Sequence, residues 1–189
     1  MSARRSRIAR RRLSVRTAAV RDLDALVHQR RAMWKALGIR DNELHEIGDR
    51  VYRRWARARL RNHQLIAWVV KSDDGRTAGG GCVWLQPVQP RPHRASMVQP
   101  YLLSMYTEPE FRRRGVASMV VNEAIEWCRR NKYERLMLHA SEMGRKVYSK
   151  LGFKRTWEMR LDLGHKRRVS SPKKNLSKEL VCVAGSNCF

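Results

Sequence analysis

Acidic residues are scarce in this chain: 17 Asp and Glu face 41 Lys and Arg in 189 residues, a formal net charge of +24. So large an imbalance makes contact with polyanions the first question. No apolar run approaches the roughly 20 residues of a membrane-spanning helix, so no membrane partner is expected. None follows the basic start either, which argues against a secretory signal peptide and for a cytoplasmic location. Cysteine is sparse. Cys82, Cys128, Cys182 and Cys188 form no Cys-x-x-Cys pair and no His-interleaved spacing, so no metal site is expected. Free thiols in a reducing compartment follow. No helix-turn-helix, zinc-finger or RNP-type signature occurs, so any nucleic-acid contact would be non-specific.

Hydrophobic residues make up 42% and charged residues 31%, enough apolar matter for one cored domain at this length. The charge is uneven. Residues 1–12 hold six Arg and no acid, residues 165–189 are net +5, and the middle keeps +13. The expected organisation is a basic N-terminal tail (1–12), a folded domain (13–164) and a basic C-terminal tail (165–189). Arg outnumbers Lys 31 to 10, and Arg is the better fork for phosphate and carboxylate oxygens.

Period and turn chemistry lay out the domain. Leu13–Thr17 alternates as a strand. Asp22 opens a helix to about Leu37, with Leu23, Leu26, Val27, Arg30 and Trp34 on one side, and Asp41 opens another to about Asn62. In that second helix Arg50, Arg53, Arg54, Arg57 and Arg61 form a basic stripe, with Val51, Trp55 and Ala58 on or beside the apolar side. Leu65–Lys71 and Thr77–Leu85 read as a hairpin around Ser72–Gly75. Gly79-Gly80-Gly81 implies close packing or a bulge. Four prolines in 87–100 mark an irregular loop. Tyr101–Thr107 is a strand, Gly115–Asn131 a helix, Arg135–Ala140 a strand, Met143–Leu151 a short helix and Phe153–Leu163 a closing strand or hairpin. The order is β-α-α-β-β-β-α-β-α-β, an α/β sandwich on one mixed sheet.

The most informative segment runs from Tyr101 to Ala117. A strand ends, Pro109 turns the chain, and Arg112-Arg-Arg-Gly115-Val-Ala117 opens directly into a helix. That arrangement points consecutive main-chain N–H groups and the positive end of the helix dipole at one spot, which suits a phosphate. A strand, Leu136–Ala140, and then Tyr148 and Leu151-Gly152-Phe153 follow at a fixed distance downstream.

These two segments resemble motifs A and B of the GNAT superfamily of N-acetyltransferases. Motif A is a strand, then Arg/Gln-x-x-Gly-x-Gly/Ala, then a helix (here Arg112, Gly115 and Ala117). Motif B is a strand and a short helix holding Tyr and ending in Leu-Gly-Phe. The likeness spans roughly Leu13 to Leu163. It implies a mixed, mostly antiparallel sheet of six to seven strands flanked by helices. A V-shaped splay would separate the strands at about 101–107 and 135–140.

The resemblance also implies acetyl-CoA as co-substrate. Main-chain groups of Met105, Tyr106 and Thr107 would pair with its pantetheine arm. Amides of Arg112, Arg113, Arg114, Gly115, Val116, Ala117 and Ser118 would hold its pyrophosphate. Tyr148 would protonate the departing thiolate. Ser141 stands where such proteins often carry an Asn that bonds the pantetheine, and its reach is shorter. The base that deprotonates the acceptor amine is left open among Glu108, which heads the candidates, Glu110, Glu142 and His139. Homodimers are common among such proteins.

A positive surround disfavours polycationic acceptors and favours a small amine that also carries a carboxylate or phosphate. The alternative is that this charge faces away from the pocket. Two other readings stand beside the enzyme: a basic protein that contacts nucleic acid or ribosomes through its tails and arginine stripe, and a GNAT-fold protein that binds acyl-CoA without transferring the acyl group.

Overall fold

In the computed structural model residues 12–161 are described, apart from 91 and 93–95. The expected basic tails (but for Arg12), Cys182 and Cys188 lie outside these residues. Five strands form one sheet in the order β1 (Leu13–Thr17), β2 (Leu65–Ser72), β3 (Thr77–Pro87), β4 (Val98–Thr107) and β5 (Met137–Leu138). The first three pairings are antiparallel and the last is parallel. Helices α1 (Leu23–Ala36) and α2 (Asn42–Arg61) follow β1, α3 (Val116–Arg130) connects β4 to β5, and α4 (Glu142–Lys150) follows β5.

The middle strand of the five is β3, and its neighbour β2 is apolar on both faces. Leu65, Ala67 and Val69 belong to the core under α1 and α2, while Trp68 and Val70 belong to the core under α3. Side chains alternate across a strand, so a continuous apolar stretch serves two layers at once. On α1 the side holding Leu23, Leu26, Val27 and Arg30 turns inward as the spacing implies. Asp41 caps α2 by accepting from Leu44 N at 3.1 Å. Asp22 precedes α1 without capping it. Its carboxylate instead takes Ala19 N at 2.8 Å and the Arg16 guanidinium at 2.6 Å, which holds its pKa down at about 2.

Four expectations are corrected. The apolar face of α2 is His45, Gly48, Tyr52 and Ala56, whereas Val51 and Ala58 are exposed. With so few aliphatic residues, the helix packs its small residues and one tyrosine against the sheet. The proline loop ends earlier than expected: β4 begins at Val98, and Pro100 is buried within it opposite Leu85. Next, β5 pairs over two residues rather than six. Finally, residues 153–161 form no strand, so the sheet has five strands among the described residues instead of six or seven. Trp157, Met159 and Leu161 keep strand alternation but are 96%, 95% and 81% exposed. Alternation supplies propensity; pairing needs a neighbouring edge, and β5 is too short to offer one.

The glycine triplet explains how closely the middle of the sheet is covered. A Cβ on Gly79 would lie 2.5 Å from Tyr106 O and 2.8 Å from Val116 Cγ1. One on Gly80 would lie 2.6 Å from Gln29 Oε1, and one on Gly81 would collide with Met105 Sδ. Gly79 therefore sets the approach of both the end of β4 and the start of α3. Gly79→Ala should destabilise the fold by about 1–3 kcal/mol, the usual cost of overpacking, read as a lower midpoint in urea denaturation.

Candidate active site

The end of β4 is held on one side only. Towards β3 it pairs as far as Thr107 opposite Gly79. Towards β5 it pairs only at Tyr101 with Met137 and Leu102 with Leu138. From Leu103 to Thr107 that second edge has no strand partner among the described residues, so the two parallel strands part as a V. A bulge sits on the parting strand. Tyr106 faces Gly80 and Leu103 faces Cys82, which leaves Ser104 and Met105 opposite Gly81 alone. Ser104 takes a positive φ of 55° to make this possible. Met105 lies on the α3 side against Gly81, while Leu103 packs under α1 and α2.

Beyond Thr107 the chain makes a 3-10 turn at Pro109–Phe111 and enters α3 through Arg112–Gly115. Phe111 is buried and anchors this loop, with the Arg76 and Arg114 guanidinium groups 5.0 and 5.3 Å from its ring centre. Arg112 Nε donates to Thr107 O at 3.3 Å. Arg113 and Gly115 both have positive φ, at 59° and 84°. Helix α3 has no side-chain cap and no acid in its first turn. The N–H groups of Val116, Ala117 and Ser118, which an α-helix leaves without internal acceptors, are thus offered outward with the dipole. A Cβ on Gly115 would meet nothing within 4 Å, so glycine is used there for its backbone angle, and the space before it is open. These features fit a phosphate-bearing ligand.

Tyr148 stands on α4. Its ring packs against the core under α3 and meets Phe153 edge-on at 5.8 Å. A side chain on Gly144 would strike the same ring, with Tyr148 Cε2 2.8 Å from the Cβ. Among the described residues the Tyr148 hydroxyl makes no hydrogen bond, and burial raises its pKa above the usual tyrosine value. The phenol therefore keeps its proton at neutral pH. Ser141 has a local task that sequence reading did not assign: as N-cap of α4, its Oγ accepts from Gly144 N at 3.2 Å. Its hydroxyl proton is still available to donate. Glu142 opens α4 and is exposed.

The carboxylates after β4 are engaged. Glu108 Oε1 lies 3.0 Å from His28 Nε2 on α1, and Glu110 lies 3.5 Å from Arg76. At the crotch of the V, where β4 and β5 are last paired, sequence reading missed a contact. The Tyr101 hydroxyl lies 2.8 Å from His139 Nδ1, with Glu158 Oε2 3.8 Å from the same nitrogen. Burial, then the Glu158 charge, pushes the Tyr101 phenol up to about 12. No one-dimensional signal pairs residues 38 positions apart, although adjacent parallel strands at 101 and 137 would have brought them to mind. Among the described residues no cluster of His, Cys, Asp or Glu could hold a metal ion, and no helix is long and apolar enough to cross a membrane.

A strand edge left open, followed by an uncapped helix N-terminus, suits an extended ligand with a phosphate at one end. The sequence model of the Acetyltransferase (GNAT) family matches residues 27–153, more than half of the chain, and the protein belongs to that family. No curated relative matches the chain by sequence. Among solved structures it is similar to a GCN5-related N-acetyltransferase from Ralstonia eutropha JMP134, at 25% identity and TM-score 0.72, covering 80% of this chain and 99% of that one. It is equally similar to a predicted acetyltransferase with acetyl-CoA from Clostridium acetobutylicum, at 25% identity and TM-score 0.71, covering 81% and 96%. An aminoglycoside N-acetyltransferase in complex with CoA shares the fold at 19% identity and TM-score 0.62, covering 83% and 96%.

Ala117→Glu separates helix stability from anion binding. A carboxylate in the first turn of α3 should stabilise the helix by about 0.5 kcal/mol through the dipole. It should also abolish the rise in melting temperature that millimolar pyrophosphate gives the unaltered protein. Retention of that rise would move the anion site elsewhere.

Proposed function

We propose that this chain moves the acetyl group of acetyl-CoA to the primary amine of a small acceptor by direct attack on the thioester. The observation that carries the reading is the open edge of β4 from Leu103 to Thr107, followed through the Pro109–Phe111 turn by the uncapped first turn of α3. Met105, Tyr106 and Thr107 supply main-chain partners for the two amides of a pantetheine arm, as an added strand would use them. Arg112 to Ser118 supply amides and charge for the pyrophosphate. An extended arm of that length covers roughly four strand residues. The sulfur then lies beside residues 102–104, at the crotch of the V.

The chemistry follows from that placement. The amine lone pair attacks the thioester carbonyl carbon, and the oxygen gains the charge, stabilised by a β4 main-chain N–H. The carbon–sulfur bond breaks. The Tyr148 O–H gives its proton to the leaving thiolate, a transfer its raised pKa permits without premature ionisation. An acceptor that arrives as ammonium must first lose a proton. Glu108 belongs to the phosphate end of the arm and is held by His28, so it acts in joining α1 to the loop. The proton goes instead to the Tyr101 oxygen, while Tyr101 passes its own to His139 Nδ1 at 2.8 Å. Glu158 Oε2 lies 3.8 Å from that nitrogen.

Tyr148→Phe should lower kcat about 100-fold, a general-acid contribution, with KM for acetyl-CoA changed little. Because burial raises this phenol's pKa, the alkaline fall in kcat that Tyr148 causes should begin above the ordinary tyrosine range and vanish in the variant. Tyr101→Phe and His139→Gln should each lower kcat about tenfold or more at neutral pH, with KM for acetyl-CoA changed little. An alkaline limb that persists in Tyr148→Phe, or an unchanged kcat in the other two variants, would retire these roles. Free-thiol release over a panel of amines is the measurement.

A further inference from the structure

One cation in the interior, Arg30, is held in no direct ion pair among the described residues, although the Asp49 carboxylate acts on it through space. Arg30, on the inner face of α1, is 8% exposed, and among the described residues it makes no salt bridge and no hydrogen bond. Its guanidinium lies 4.8 Å from the Tyr52 ring centre and 5.8 Å from that of Trp34. The nearest acid is Asp49 on α2, which gives Oδ2 to Arg31 at 2.6 Å. Burial lowers the Arg30 pKa, as expected for a charge removed from water without a direct ion pair. Two ring faces stabilise a guanidinium, but they leave its five N–H donors unanswered.

Two neighbouring donors lack partners as well, and so does one acceptor, Asp49 Oδ1. Trp34 Nε1 and the Tyr52 hydroxyl are both buried without a well-formed hydrogen bond. Buried polar groups in folded proteins are almost always satisfied, so two orphan donors beside one unpaired cation make a pattern. Tyr52 faces Ser104 and Cys82. Cys82 itself lies opposite Leu103 on β4. The donor cluster therefore sits under the bulge, on the α1 and α2 side of the sheet, next to where the thioester would lie.

We infer that Arg30, Trp34 and Tyr52 are the receptor for a carboxylate carried by the acceptor amine. This rests on the acetyltransferase reading above. A carboxylate has two oxygens with about four lone-pair positions, which matches a two-pronged guanidinium, an indole N–H and a phenol O–H. Its single negative charge balances the single buried positive charge. A phosphate dianion would leave one charge unmatched in a site that water barely reaches, and a polyamine would add to the positive charge. With its carboxylate on Arg30, an amino acid would direct its amine towards Ser104 and Tyr101.

The test compares the common amino acids with their carboxamides and with phosphoethanolamine, using thiol release and melting temperature. At least one amino acid should be acetylated with kcat/KM tenfold or more above its carboxamide. Arg30→Gln should erase that preference and raise KM for the carboxylate at least tenfold, with KM for acetyl-CoA within twofold. Arg30→Lys should keep part of it. If Arg30→Gln does not fold, Trp34→Phe and Tyr52→Phe each remove one donor and should raise the same KM several-fold. Carboxamides or phosphoethanolamine used as well as carboxylates, or a preference that survives Arg30→Gln, overturns the inference while leaving the acetyltransferase intact. Absence of any acetyl-CoA effect would sink the acetyltransferase instead. Even then, a rise in melting temperature with amino acids that is lost in Arg30→Gln would uphold the carboxylate site, and no such rise would overturn it.

Discussion

The domain is organised around a hydrogen-bonding edge that is left unused. Leu103 to Thr107 are paired to β3 on one side, and on the other they present amide and carbonyl groups to a cleft. Open edges invite unwanted pairing, and proteins ordinarily blunt or cover them. Here the edge lies between two parallel strands that diverge, so it is sheltered from other chains but open to a narrow ligand. The bulge at Ser104 and the side-chain-free run of Gly79 to Gly81 let the strand bend away while both faces stay packed.

Charge divides in the same way. Several arginines are spent on architecture: Arg16 on Asp22, Arg31 on Asp49, Arg53 on Asp24, and Arg76 and Arg114 over Phe111. Others, such as Arg54, Arg57 and Arg61 on α2, are exposed. Arg30 belongs to neither group, since it is buried and in no direct ion pair among the described residues. A net charge counted along the chain does not separate these cases; burial and partner do.

Much of the layout was legible beforehand. Helices α1 to α4 and strands β1 to β4 follow from periodicity and punctuation, and the loop into α3 follows from Gly115 ahead of an uncapped apolar helix. What sequence could not carry is pairing across distance. The two-residue length of β5, the unpaired run after Phe153, the Tyr101–His139 contact and the His28–Glu108 contact all depend on which edges meet. Local propensity is silent on that. Ser104 in a left-handed conformation is likewise unreadable, because nothing in a serine's chemistry calls for it. Pro100 misled for the opposite reason: it reads as a breaker, yet it stands within β4, where the side-chain amide of Gln99 reaches across to Arg135 O at 3.0 Å.

Phe111 has a consequence for the cost of ligand capture. Sunk in the core with two guanidinium groups close to its ring, it fixes the turn beforehand, so little chain entropy would remain to be lost when an anion binds. The hairpin turn that carries Arg76 thereby becomes a remote tuning screw. Loosening it would slacken the loop that leads into α3 from the far side of the Phe111 ring contact.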